Sequence, residues 1–205
     1  MADRCLRKAG RTKASRHDAS GVYTGEFMRL APLVPVEEDG RLHDMALREN
    51  FLTRVFVLRR WRLLQQQGIS AARLLAFHTD HKYLVLAHHP DAYRRLGRLL
   101  ADCGRRDINA LAGEYIHALM PALATPVDRG RHANVLQHLL GYFRRSIPER
   151  HRAQLADSIE QYRTGDLPLG APLTLLRHFL AEHPHDYLER QVYLAPHPAR
   201  ERHFL

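Results

Sequence analysis

From Asp44 onward, apolar residues recur at three- and four-residue steps, the spacing of helix faces that turn toward a core. Asp44 can cap a long first helix that runs to about Gln67, with Leu47, Phe51, Val55, Phe56, Leu58 and Leu63 as its apolar positions and Gly68 as its stop. Ser70 starts a second helix that closes near His88, before Pro90, and Pro90 opens a third that ends by Gly104. The spacing predicts further helices over 107–123, 129–145, 148–162 and 172–181, with Pro121 ending or kinking the first of these. The segment Tyr187–Tyr193, rich in Tyr and Val, leaves helix and strand open. No alternating strands and no fixed-period repeat occur, so the expected fold is all-α, a compact bundle of about six to eight helices over residues 44–205.

The first 43 residues differ in kind. Residues 1–20 carry Arg4, Arg7, Lys8, Arg11, Lys13 and Arg16 with little to bury, and residues 21–43 are broken by Pro32, Pro35 and Gly40. They are expected to form an irregular basic arm and a linker.

The chain has 205 residues and a formal net charge of +9, from 31 Lys and Arg against 22 Asp and Glu. Only Lys8, Lys13 and Lys82 are lysines, so the basicity is almost all arginine. A basic surface invites a polyanion such as nucleic acid or an acidic protein. No apolar run approaches the roughly 20 residues of a membrane helix, and no secretory leader is visible, so no membrane association and a cytoplasmic location are expected. Cys5 and Cys103 are too few for a disulfide framework or a four-thiolate site.

Two constellations could carry chemistry. On the second helix, Leu74, His78, His81, Val85 and His88 share one stripe, and His78 with His81 could supply two imidazoles to a metal. The stripe has neither a carboxylate nor a thiolate, so the expectation is no metal or other cofactor, with histidines bonded in a helix seam. On the fifth helix, Asn134, Gln137, His138, Gly141, Arg144 and Arg145 lie opposite the apolar stripe Leu136, Leu139, Leu140 and Phe143. Gly141 within a helix suggests close approach of a ligand or another backbone. Arg94, Arg95 and Arg98 gather within one turn, and Trp61 sits among Arg59, Arg60 and Arg62, where it could stack a base or lie in the core. No phosphate loop, nucleophile elbow or zinc-finger spacing is present, so no reaction is named.

The segments Leu33-Val-Pro-Val-Glu-Glu-Asp-Gly-Arg-Leu42, Leu47-Arg-Glu-Asn-Phe51, Phe77-His-Thr-Asp-His-Lys82 with Ala87-His88, and Asn134-Val-Leu-Gln-His138 with Gly141-Tyr-Phe143 together resemble the YbgA family. So do Tyr162-Arg-Thr-Gly165, Pro172-Leu-Thr-Leu-Leu176 with His178, and Gln191-Val-Tyr-Leu194. The resemblance spans roughly residues 33–198. Members of that family occur beside DNA photolyases or fused to cysteine-rich domains resembling thiouracil and thiouridine desulfidases. The resemblance implies an RNA-recognition module, for transfer RNA, accessory to RNA modification by another protein of desulfidase or photolyase type. It also implies that residues 1–43 correspond to the junction with a missing N-terminal domain. It carries no catalytic residues.

The expected nucleic-acid contacts are Arg94, Arg95, Arg98, Lys82, Asn134, His138, Arg144 and Arg145. Two alternatives stand beside this reading. One is an enzyme using His78, His81, Asn134 and His138, with or without a metal. The other is a protein-interaction module linked to DNA repair. Protonation of the 15 histidines at lower pH is expected to raise the charge and strengthen binding to polyanions.

Overall fold

In the computed structural model, which describes residues 22–198, nine α-helices and no strand occur among the described residues. The residues fall into two units, Met1–Pro32 and Leu33–Leu205. The basic stretch 1–20 lies outside the described residues. Of the first unit, α1 (Val22–Leu30) is described. This helix lies in the segment expected as a linker; its local support is an i,i+3 ion pair between Glu26 and Arg29, and Pro32 follows its end.

The second unit begins ahead of the first expected helix, because Leu33 and Val34 already pack against the core. A 3-10 turn (Asp39–His43) leads to Asp44, whose carboxylate accepts from the backbone N–H groups of Ala46 and Leu47 and starts α2 (Met45–Gln66). Gly68, with φ at +84°, turns the chain in the left-handed region. Ser70 caps α3 (Ala71–His88). His89 caps α4 (Pro90–Ala101), with Pro90 in its first turn. Asp107 caps α5 (Ile108–Ala122), in which Pro121 falls in the last turn, and Asp128 caps α6 (Arg129–Tyr142). A 3-10 turn (Phe143–Arg145) follows, then α7 (Glu149–Thr164), which Gly165 ends at φ +106°. α8 (Gly170–Glu182), the short α9 (Asp186–Glu189) and a 3-10 turn (Val192–Leu194) complete the described chain. The Tyr187–Tyr193 segment is therefore helical turns rather than strand.

α3 is the central element, packing on α4, α5, α6 and the last 3-10 turn, while α7 bridges α6 and α8. The core runs through Trp61, Leu74, Leu96, Leu111, Tyr115, Leu136, Leu139, Phe143, Leu155 and Ile159. The inward face of α2 is not the one its apolar spacing suggests. Asn50, Thr53, Val57, Leu58, Trp61 and Leu64 are buried, whereas Leu47, Phe51, Val55 and Phe56 are half-buried and Leu63 is exposed. The buried Asn50 is tolerated because its Nδ2 donates to the Leu123 carbonyl at 2.9 Å. Trp61 belongs to the core, stacked on Tyr115 and edge-on to Phe77, and is not a surface platform for a base.

Side chains hold the C-terminal segment against the bundle. Arg60 donates to the carbonyls of Pro196 (2.6 Å) and Ala195 (3.2 Å), and Arg177 donates to that of Leu194. The buried His197 lies 2.8 Å from the Glu49 carboxylate on α2.

Candidate nucleic-acid interface

The helical histidine stripe turns inward. Leu74, His81, Val85 and His88 are buried and His78 is half-buried. His81 Nδ1–H donates to the Phe77 carbonyl at 2.7 Å and His88 Nδ1–H to the Thr125 carbonyl at 2.8 Å, while His78 Nδ1 lies 3.1 Å from the Tyr115 hydroxyl. On α6, His132 Nδ1 lies 2.9 Å from the Tyr193 hydroxyl. Burial drives His78, His88 and His132 down to about 4 and His81 to about 3, so all four are neutral at physiological pH. The general gain of charge expected from histidines on acidification does not extend to these four. Among the described residues, no group of three or more His, Cys, Asp or Glu side chains is placed to hold a metal ion.

Asn134 and His138 are exposed on α6 while His78 and His81 are bonded within the core. The structure does not gather these four into the constellation that the enzymatic alternative requires.

The polar face of α6 does form as a surface. Asn134, Gln137, His138, Gly141, Arg144 and Arg145 are all exposed. Asn134, His138 and Tyr142 follow at steps of four, so Tyr142 extends the same stripe by one turn. Tyr142 is 37 % exposed and joins side chains from two other helices. Its ring stacks on Tyr187 from α9, and its hydroxyl accepts from Tyr83 of α3 at 3.1 Å. Lys82 of α3 places Nζ 4.8 Å from the Tyr187 ring centroid and 5.5 Å from that of Tyr83. His185 meets Tyr142 edge-on at 5.5 Å. Burial, followed by the Tyr142 hydroxyl, pushes the Tyr83 and Tyr187 phenols up, so both remain protonated.

Arg144 and Arg145 continue from this cluster on the 3-10 turn. Arg152 of α7 donates to the Arg144 carbonyl at 2.7 Å. A shallow groove of about 340 Å³ opens between α6 and α7, lined by Leu140, Gly141, Arg144, Glu149 and Arg152. Among the described residues, a Cβ on Gly141 would meet nothing within 4 Å, so no helix crossing or backbone contact among them accounts for this glycine.

The expected contact residues thus separate into two groups. Lys82 joins the Tyr142 cluster through the Tyr187 and Tyr83 rings, His138 and Asn134 lie one and two turns before Tyr142 on α6, and Arg144 and Arg145 follow it on the 3-10 turn. Arg94, Arg95 and Arg98 are exposed on α4, which packs on α3 and α5, and Arg94 is ion-paired with Asp91. The sequence reading missed the tyrosines. Their signal was weak because Tyr83, Tyr142 and Tyr187 come from three separate helices.

The model of a family described as a protein of unknown function, DUF1722, matches residues 82–198, a span that holds the whole tyrosine cluster. The uncharacterized protein YbgA of Escherichia coli (strain K12) is 35% identical over 146 residues, covering 71% of this chain and 86% of that protein. No solved structure matches. No helix among the described residues is long and apolar enough to cross a membrane. By family model and relative together, the chain belongs to the DUF1722, or YbgA, family.

Proposed function

We propose that this protein is an RNA-binding module for transfer RNA, accessory to modification or desulfuration that another cytoplasmic protein carries out. The observation that supports this reading most is the exposed Tyr142 ring, backed by Tyr187 and Lys82 and continued by His138, Asn134, Arg144 and Arg145. An aromatic face beside cationic side chains suits unstacked bases of folded RNA, with the arginines on phosphates. The α4 cluster of Arg94, Arg95 and Arg98 supplies further phosphate contacts. With Cys5 and Cys103 as its cysteines, the chain does not furnish three thiolates for a labile iron–sulfur cluster, so the desulfurising step falls to a partner of desulfidase type. The test is a mobility-shift titration of folded transfer RNA at several salt concentrations. Sub-micromolar binding at low salt with a steep loss of affinity as salt rises is expected, and no retardation at micromolar protein near physiological salt would end the proposal.

A further inference from the structure

A second cavity of about 490 Å³ lies where α2 and α3 meet the C-terminal segment. Phe77, Asp80, His81, Arg60, Arg190 and Gln191 are among the residues that line it. His81 and Gln191 are 2 % and 1 % exposed, and each leaves a buried polar atom without a hydrogen-bond partner: Nε2 of His81 and Oε1 of Gln191.

The remaining bonds fix what those two atoms are. His81 gives its Nδ1 hydrogen to the Phe77 carbonyl, so in the neutral ring Nε2 is a lone-pair acceptor. Gln191 Nε2 donates to the carbonyls of Thr79 and Tyr187, both at 3.1 Å, which leaves Oε1 as an acceptor. The Asp80 carboxylate is a third acceptor; Arg190 pairs with it at 3.7 Å, longer than a hydrogen bond. Buried acceptors with no donor are costly and rare, and a ligand bearing N–H groups would relieve them.

The surroundings narrow the ligand. The His81 and Phe77 rings stack with centroids 3.9 Å apart, giving a flat aromatic wall. Arg60, Arg73 and Arg190 outnumber the Asp80 and Glu189 carboxylates in the lining, and although each arginine already has a partner in the chain, the cationic surplus suits an anionic group on the same molecule. The opposite wall, Gln191–Ala195, is one 3-10 turn held by bonds from Arg60 and Arg177 to its carbonyls, and a base would reach the two buried acceptors by displacing this turn. We propose that this cavity binds a nucleotide whose base carries an amino group, with the base N–H groups on His81 Nε2 and Gln191 Oε1 and the phosphate toward the arginines. The chemistry is the same for a free mononucleotide and for one residue of an RNA chain. The proposal rests on the orphaned acceptors and stands apart from the RNA-binding face at Tyr142.

The experiment titrates the full chain with GMP, AMP, CMP and UMP, read by the fluorescence of Trp61 and by the nitrogen-15 shift of His81 Nε2. Trp61 is the single tryptophan and lies edge-on to Phe77 at 5.4 Å. Saturable binding of at least one amino-bearing nucleotide is expected, with His81 Nε2 moving upfield and UMP at least tenfold weaker. His81→Phe keeps the ring stack and should lose the binding tenfold or more. Because the nitrogen-15 readout uses the unaltered protein, it decides the matter even if that variant misfolds. Competition between the bound mononucleotide and transfer RNA assigns the ligand to an RNA residue; independent binding of the two assigns it to a free nucleotide. No response to any of the four, or an equal response to UMP, overturns the proposal. Nucleotide binding without transfer-RNA binding would sustain this site while removing the RNA-binding reading.

Discussion

The ring of Tyr142 stacks on that of Tyr187 with centroids 5.4 Å apart and planes at 30°. One residue comes from α6 and the other from α9, 45 positions later. The pair leaves one face of the Tyr142 ring covered and the residue 37 % exposed. Base stacking on an aromatic residue contributes about 1–3 kcal/mol per base. Tyr142→Ala should therefore weaken transfer-RNA binding about tenfold or more, while Tyr142→Phe, which loses the hydroxyl and its bonds with Tyr83 and Tyr187 but keeps the ring, should stay within a few-fold of the parent. Filter-binding titrations of the two variants check this, and equal losses in both would point to the hydroxyl rather than the ring.

The two buried histidines, His81 and His88, and the half-buried His78 and His132 make stability depend on pH in a definite direction. Their folded values of about 3 to 4 lie below the ordinary 6.5, so between these limits the unfolded chain binds more protons than the folded one. Their contribution to stability is present in full above about pH 6.5 and is lost as pH falls toward 4, by up to about 1.4 kcal/mol per pH unit for each histidine. Urea unfolding measured at pH 7.5, 6 and 5 should show a falling midpoint, and His132→Phe should flatten the trend. A midpoint unchanged across this range would contradict the burial of these rings.

Helix ends were legible in the sequence because they are decided by local chemistry. Asp44, Ser70, Asp107 and Asp128 each accept from a backbone N–H at a helix start, and Gly68 and Gly165 take the positive φ that follows a helix end. The buried face of α2 was not legible. Asn50 turns inward because a carbonyl 73 residues away, that of Leu123, satisfies it, and no spacing rule within the helix contains that partner. The histidine seam of α3 was legible as a stripe, though its partners Tyr115 and Thr125 come from outside the helix. For the same reason the α6 polar face could be read from its own periodicity, whereas its junction with Tyr83, Lys82 and Tyr187 could not.

Gly141 supplies a test of the groove beside α6. Among the described residues nothing lies within 4 Å of a Cβ built there, and the residue is exposed in the last turn of its helix. Gly141→Ala should raise stability by about 0.5–1 kcal/mol, the usual helix penalty of glycine. Thermal unfolding measures this. Destabilisation instead would mean that the groove beside α6 is too tight for a methyl group, since Gly141 has an ordinary helical φ.

The arginines of α4 should act through charge alone. Arg94, Arg95 and Arg98 are exposed, and Arg94 already has Asp91 as a partner. Replacing all three with Ala should weaken binding to different RNAs by a similar factor and lower the slope of log affinity against log salt. Replacing Asn134 or His138, uncharged polar side chains on the α6 stripe that leads to Tyr142, should instead reduce the preference for folded transfer RNA over an unstructured RNA of equal length.

Competition distinguishes a built RNA-binding face from a merely basic surface most directly. Labelled transfer RNA bound near physiological salt is displaced either by unlabelled folded transfer RNA or by heparin at equal total charge. The arrangement of Tyr142, Lys82, His138 and the arginines predicts that transfer RNA competes at least tenfold better than heparin, and that Tyr142→Ala erases most of this advantage. Equal competition by heparin in the unaltered protein would contradict it.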